Sequence, residues 1–573
     1  MSGARATANA GSAARIDGQF ADTLLALFVG GGAFLAIVGM QVLDVSNMRW
    51  LAQTDDSFTH YLGWEFFRQS ALTWPPGLNP DYGLQFSSSI MFSDSVPLLA
   101  IPLKLVSPLL PRVFQYTGWW ILICFLLQAY FAVRIAALFA RGVAVKLALA
   151  VLLTLAPPLL WRLSVHFSLV AHWLVLASIY LYWAPSTRRR GLHWTILLGA
   201  SALIHTYFLA MCLPIWLASV VRRQLLEGRN APPWGIELVA VPATVISALW
   251  LAGFFPLRSS MLSSGFGDYC LNVLSLFNPE GGMNRQHWQW SSVLPPLPNG
   301  RDDYEGFAYA GLGGLAAIGL ALPLLLTERR FYVGRFVWPL AIAALLLTLF
   351  ALSPNLTIGD RVIRIPIPHV VFELASSVRS SGRFFWPVYY LLFIASAWLL
   401  HRGLGPRVAG PLLLVLSALQ IYDTYPGWSS LRPRLEVAGT TLPTSIDDQR
   451  LAELAAHYQA VRSLPAGNVL PKWDQVSYFA WRQHLRTDSV YLARPLEAAY
   501  AAYMDGIDRT IAQHGLSTNS LYFLNRQYAS KVGGRMGVDD AMFRVGDFYV
   551  FAPGWRSFGI ATTLTQSRPW SPM

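Results

Sequence analysis

The chain has 573 residues, 54% of them hydrophobic and only 13% charged, with a mean hydropathy of +0.41; soluble domains carry about a quarter charged residues, so lipid must be the solvent for much of it. Its formal charge of +12 sits in short Arg/Lys clusters between apolar segments, which points to basic cytoplasmic loops and excludes nucleic acid as the expected partner. The three cysteines, Cys124, Cys212 and Cys270, exclude a disulfide framework and a thiolate metal site.

Residues 1–21 read as a cytoplasmic N-terminal segment. The apolar run after it exceeds a signal h-region and lacks a small-residue cleavage site, so it is expected to stay as an uncleaved first span. Apolar segments near 22–43, 115–138, 146–164, 168–185, 192–208, 209–221, 234–255, 308–326, 336–353, 384–401 and 408–424 then predict an α-helical polytopic membrane domain over 22–425 with about 11 transmembrane helices. The segment 95–110 is short and carries Pro97, Pro102 and Pro108. If it stays in the interface, Arg134, Arg141, Lys146, Arg188 to Arg190, Arg222, Arg223, Arg329, Arg330, Arg335, Arg402 and Arg407 all fall on the cytoplasmic side. The first external loop 44–114 with its interfacial helices, the loops 256–307 and 354–383, and the tail 426–573 then face the other side, and loops are where chemistry concentrates. In the tail, "AVRSLP", "SVYLAR" and "SLYFLN" predict short strands between the helical patterns "WDQVSYFAWRQHL" and "LEAAYAAYMDGIDRTIAQHG", with Gly515 as a helix stop. That alternation reads as a small α/β domain with some parallel pairing.

Chemistry-bearing residues gather in the expected external loops. In "LAQTDDSFTHYLGWEFFRQS", Asp55 and Asp56 are either a helix cap or reactive carboxylates; a cap needs one acidic or hydroxyl residue, and His60, Glu65 and Arg68 lie close by in sequence. Asp94 is an N-cap or a second acid. Lys104, a charge in an apolar segment, calls for an anionic ligand or snorkels to headgroups. His166, His172 and His205 suit a hydrogen-bonded polar cavity, with a metal as the alternative. Arg379 and Arg383 in "ASSVRSSGRFFWPVYY" oppose the charge bias, so a phosphate at headgroup depth or anchoring of a helix end beside Trp386 must hold them. Trp288 and Glu305, in "HWQWSS" and "DDYEGFAYAG", and Tyr389 add aromatic and acidic contacts suited to a sugar.

The acidic pair after the first span, the interfacial helices, the many further spans and the external C-terminal domain resemble the GT-C class of integral-membrane glycosyltransferases. More narrowly, "DSFTHYLGWEFFR", "FSDSVPLLAIPLK", "VHFSLVAHW", "YEGFAYAGLG" and "RSSGRFFWPVYY" are similar to a bacterial multi-spanning family of unknown function. The resemblance covers roughly residues 20–425. It implies a GT-C-like fold in the inner membrane, with active site and C-terminal domain facing the periplasm. It also implies inverting transfer from a polyprenyl-phosphate (undecaprenyl) sugar donor to an acceptor hydroxyl on a cell-envelope glycan, polysaccharide or lipid. Asp56, spaced to His60 as in that family, is the expected general base with Asp55 assisting, and Arg383, Arg379 and Lys104 are the expected donor-phosphate contacts. No cofactor is demanded; a divalent metal is an open alternative to the cations. A transporter or flippase of lipid-linked saccharides would want ionisable residues mid-span and repeated halves. A non-enzymatic envelope assembly factor would need only an anchor.

Overall fold

The computed structural model describes residues 2–86, 88–185, 187–227, 234–255, 265–282, 287–299, 303–327, 337–446, 449–491, 497–513 and 515–558. Among the described residues six helices are long and apolar enough to cross a membrane: Gly18–Ile37, Thr117–Ala136, Val143–Ser164, Thr206–Leu225, Ser381–Leu404 and Pro406–Ser429. Four other expected segments form shorter apolar helices, Phe167–Trp183, Gly235–Leu251, Gly311–Leu326 and Trp338–Leu352. The expected segment 192–208 is the helix Arg190–Ile204; it stops at His205, whose extended backbone lets the next helix start at Thr206 rather than at 209. The chain is a mostly helical, multi-pass membrane protein. Arg329, Arg330 and Arg335 lie outside the described residues.

Contacts divide the chain into two compact units. The first is Met1–Asp44, Tyr116–Ile246 and Met261–Val437; the second is Val45–Gln115, Ser247–Ser260 and Ala438–Met573. The first external loop, read from the sequence as part of the membrane domain, thus folds with the tail.

In the first unit the Val143–Ser164 stretch is 78% buried and Gly18–Ile37 only 33%. The former is central, whereas Leu24, Leu27 and Phe28 of the latter point outward, as side chains solvated by lipid do.

The second unit is built on a five-stranded sheet in the order Arg486–Thr487, Ala460–Leu464, Ser520–Leu524, Phe548–Ala552, Ala541–Val545. The first three strands are parallel and the last two antiparallel, so the tail is α/β with some parallel pairing. Two of the expected strands are present, at 460–464 and 520–524. In place of the expected "SVYLAR" strand, pairing begins earlier, at Arg486, and residues 492–494 of that run lie outside the described residues. Gly515, at φ +76, ends the helix Glu497–Gln513 as its sequence predicts.

Loop and tail are joined by backbone and by rings. Tyr82 bridges Thr487 in parallel, the Gly83 amide donates to the Thr487 carbonyl at 2.8 Å, and the Thr487 amide donates to the Asp81 carbonyl at 3.0 Å. The helix Asp55–Gln69 lies against the helix Trp473–Arg482, with Phe58 6.1 Å from Tyr478 and Tyr61 6.0 Å from Trp481, ring centroid to centroid. Arg462 holds the fully buried Asp488 at 3.3 Å and also donates to Gln85 at 3.1 Å.

Candidate active site

The Asp55–Gln69 helix is capped by Thr54, whose hydroxyl accepts from the Ser57 amide at 3.2 Å. Ser57 in turn donates to the Leu51 carbonyl at 2.6 Å. The two aspartates are therefore the first residues of the helix and not its cap. Asp56 is half-buried, and the side chain of Asp55 lies outside the described residues.

One turn on, His60 shares the Asp56 face of the helix and is buried. Its Nδ1 donates to the Asp94 carbonyl at 2.7 Å, so Nε2 is the acceptor nitrogen of the ring. Ser95 answers by donating to the His60 carbonyl at 2.7 Å. Between these contacts the backbone is strained: Asp94 and Val96 sit at φ +58 and +47, left-handed conformations that cost non-glycine residues, a β-branched one most. Val96, not Asp94, is the N-cap of the Pro97–Leu105 helix, so capping does not explain Asp94. The donor atoms of His60 and Asp94 come within 4.8 Å of each other. An imidazole nitrogen and a carboxylate at that spacing suit a divalent cation.

The other expected residues of this unit lie at the far end of the same helix. Lys104 donates to Ser70, the residue that ends it, at 2.9 Å, and to the Ala71 carbonyl at 3.1 Å. Fourteen residues at 1.5 Å each put Ser70 about 21 Å along the axis from Asp56. Lys104 and Asp56, expected to act on one donor, thus stand at opposite ends of this helix. Glu65 is fully enclosed, accepting from the Phe114 amide at 3.2 Å with Arg68 at 3.6 Å, beside Tyr61 and Trp481.

Burial lifts the Glu65 carboxyl from 4.5 to about 7, the Arg68 charge and the Phe114 amide only partly opposing it. A raised acid pKa means the folded state holds the proton more tightly than the unfolded one. The associated stability is complete below pH 4.5 and is lost as pH rises through about 7. Glu65→Gln should abolish that loss, gaining on the wild type by of order 3 kcal/mol between pH 4.5 and 8. Unfolding followed at several pH values checks this; parallel profiles for the two proteins would refute it.

In the first unit the polar centre is Glu305. Arg162 donates to its Oε2 at 2.7 Å, Arg383 donates to the same oxygen at 2.7 Å and through Nη2 to Oε1, and His166 Nε2 stands 4.0 Å away. The loops can meet because both carry glycine. A Cβ on Gly382 would fall 2.6 Å from the Gly306 Cα. Burial alone would raise the Glu305 pKa, but the guanidinium groups of Arg383 and Arg162 outweigh it and hold the carboxyl well below the usual range. The Arg383 fork expected to face a phosphate is thus engaged by a protein carboxylate.

Around this ion cluster lie the other expected residues. Arg383 rests on the Tyr207 ring at 4.6 Å and Arg379 on Tyr269 at 4.8 Å. His205 accepts from the Tyr207 amide at 3.1 Å. His172 and Tyr389 are fully buried, the first bonded to the Tyr390 hydroxyl at 2.8 Å and packed on Trp386, the second donating to the Tyr309 carbonyl at 3.3 Å. Both are core residues, a correction to the expected cavity lining. Trp288 is half-buried, with Trp161 edge-on at 4.9 Å and the Arg434 guanidinium over its ring at 5.1 Å.

Two residues escaped the sequence reading. Arg162 and Asp423 each sit in an apolar span, and an intramembrane charge is itself the signal that could have found them. Asp423 accepts from Ser291, from Tyr309 at 2.7 Å and from the Leu312 amide at 2.8 Å, which ties these three residues to its helix. Removing the carboxylate from the Glu305 cluster leaves two buried guanidinium groups with no anion between them. Glu305→Gln should therefore destabilise the protein by about 3–5 kcal/mol, and Arg383→Met added to it should recover part of the loss. Thermal unfolding of the purified variants is the check; an unshifted midpoint in Glu305→Gln would show that the cluster holds nothing together.

No curated protein matches the chain. Among solved structures it is similar to ArnT from Cupriavidus metallidurans in the apo state, at 11% identity and TM-score 0.44 over 95% of this chain and 99% of that one. The same protein bound to undecaprenyl phosphate gives 12% identity and TM-score 0.41 over 93% and 96%. The archaeal oligosaccharyltransferase AglB from Archaeoglobus fulgidus, in complex with an inhibitory peptide and a dolichol-phosphate, gives 10% identity and TM-score 0.40 over 90% and 71%. The family described as a domain of unknown function, DUF6311, matches residues 27–425, and its C-terminal domain matches residues 450–553. The chain belongs to the DUF6311 family.

Proposed function

We propose that the protein is a membrane glycosyltransferase that moves a sugar from a polyprenyl-phosphate donor to an acceptor hydroxyl of a cell-envelope glycan or lipid. Asp56 is its general base. The observation that carries this reading is that Thr54 caps the Asp55–Gln69 helix and Asp56 stands half-buried in its first turn. It shares a helix face with His60, whose ring is tied to the strained Asp94 loop.

In this reading the Asp56 carboxylate takes the proton of the acceptor hydroxyl as the oxygen attacks the anomeric carbon, and the bond from that carbon to the lipid phosphate breaks with inversion. A divalent cation, held by His60 Nε2 and the Asp94 carboxylate, would supply charge to stabilise the leaving phosphate. Arg162 and Arg383 act as positioning residues that fix Glu305 and the loops around it.

Asp56→Asn keeps size and much of the hydrogen bonding but removes the proton acceptor, so donor turnover should fall by roughly a hundredfold or more while the protein stays folded. Turnover in purified Asp56→Asn and Asp55→Asn decides it: a dead Asp55→Asn beside an active Asp56→Asn moves the base by one residue, and two active variants sink the mechanism.

The proposed setting is the bacterial inner membrane with the chemistry on the periplasmic side, which follows from the Arg/Lys clusters. Reporter fusions should place Asp56, Trp288 and the tail outside, and Arg189 and Arg330 inside. A cytoplasmic tail would reverse the assignment.

A further inference from the structure

At the end of the Asp55–Gln69 helix remote from Asp56 the second unit contains a cavity of about 530 Å³. Its lining is strongly basic. Arg68, Lys104, Arg112 and His484 all contribute, and Leu72 and Leu105, 69% and 66% exposed, lie beside them.

Lys104 is the unusual member. It is buried over the Phe67 ring at 4.2 Å, and its two hydrogen-bond acceptors, the Ser70 hydroxyl and the Ala71 carbonyl, are neutral. Among the described residues no carboxylate forms an ion pair with it. A buried ammonium normally has an anionic partner, and this one has a third N–H to give. Arg68 spends Nε and Nη2 on Ser107, at 3.0 and 3.3 Å, while its buried Nη1 makes no hydrogen bond and meets only Glu65, at 3.6 Å. His484 is held at φ +56, a strained conformation, with Nδ1 3.1 Å from Gln69. Burial pulls the Lys104 ammonium down from 10.5 to about 8 even with the field of Asp81 in its favour, so the protein alone does not compensate its charge.

We propose that this cavity binds the phosphate of an amphiphile, a lipid phosphomonoester headgroup on Lys104, Arg68 and Arg112, with its chains leaving over Leu72 and Leu105. The cations select the charge and the exposed leucines select the lipid over a free anion. Exposed apolar residues continue along the same turn, at Val106 and Leu109, 42% and 85% exposed, as a surface resting on lipid would have. The pocket lies about 21 Å along the helix axis from Asp56, and lipid binding there is measured without turnover.

The test is native mass spectrometry of the purified full-length protein, titrated separately with dioctanoyl phosphatidic acid, dioctanoyl phosphatidylcholine and inorganic phosphate. Phosphatidic acid should bind at least about tenfold more tightly than either of the others. Lys104→Met, which keeps the volume and removes the charge, should weaken it by about tenfold or more, and Arg112→Gln, at an exposed position, by about threefold. Arg112→Gln decides the matter if Lys104→Met does not fold. Unchanged phosphatidic acid binding in the variants overturns the site; equal binding of phosphatidylcholine reduces it to an apolar groove, and equal binding of inorganic phosphate removes the lipid.

Discussion

The face-to-face packing of the Asp55–Gln69 helix on the Trp473–Arg482 helix is the constraint on which the candidate site depends. A helix of 15 residues is marginal in water by itself, and a carboxylate on a fraying helix is a poor reagent because its position is part of its reactivity. Phe58, Tyr61, Trp64 and Phe67 are all buried, and the contacts of Phe58 and Tyr61 with Tyr478 and Trp481 each add about 0.5–1.5 kcal/mol beyond the area they bury. The C-terminal domain thereby acquires a physical role. It is the platform that fixes a helix lying more than four hundred residues before the helix it packs on, and the parallel bridge from Tyr82 to Thr487 extends its sheet into the same loop.

The first unit meets a different constraint, the cost of polar groups where water is scarce. Two guanidinium groups around one carboxylate leave a net positive charge, and Arg162 offsets its own burial further by lying 5.1 Å from the Trp386 ring. Such a cluster is strong in geometry and weak in net stabilisation, since desolvating three charges consumes most of what their attraction returns. Its value is in register: Glu305 and Arg383 come from segments 78 residues apart, and one carboxylate fixes both.

Much of this was legible. Apolar runs located the helices because a span must satisfy its own backbone, and alternation located two strands of the tail sheet. The break between Ile204 and Thr206 was read a few residues late because the apolar pattern runs through it, and the short strand at Arg486 carries too little periodicity to register. At the candidate site, local spacing places Asp56 and His60 on one helix face, and the fold brings His60 and Asp94 together. Spacing does not reveal how fully Glu65, His172 and Tyr389 are enclosed, because burial and partners are set by residues distant in sequence. Arg383 was read as facing a phosphate for the same reason: its partner Glu305 belongs to another loop.

The charges at the two ends of the Asp55–Gln69 helix raise the question of whether its dipole accounts for them without any ligand. Acidic residues in the first turn and cations at the last are what the dipole favours, by about 0.3–1 kcal/mol each and up to about 2 kcal/mol when partly buried. For Asp56, half-buried at the N-terminus, that suffices to explain the sign of the charge, so its role must be argued from the Thr54 cap and the strained loop beside it. For Lys104 the magnitudes run the other way. Burying an ammonium costs up to several kcal/mol, which a helix terminus, two neutral oxygens and the Phe67 ring offset only in part, so burial lowers its pKa. A dipole explains why a cation is there and not an acid; it does not explain why the cation is buried and left without an anion of its own.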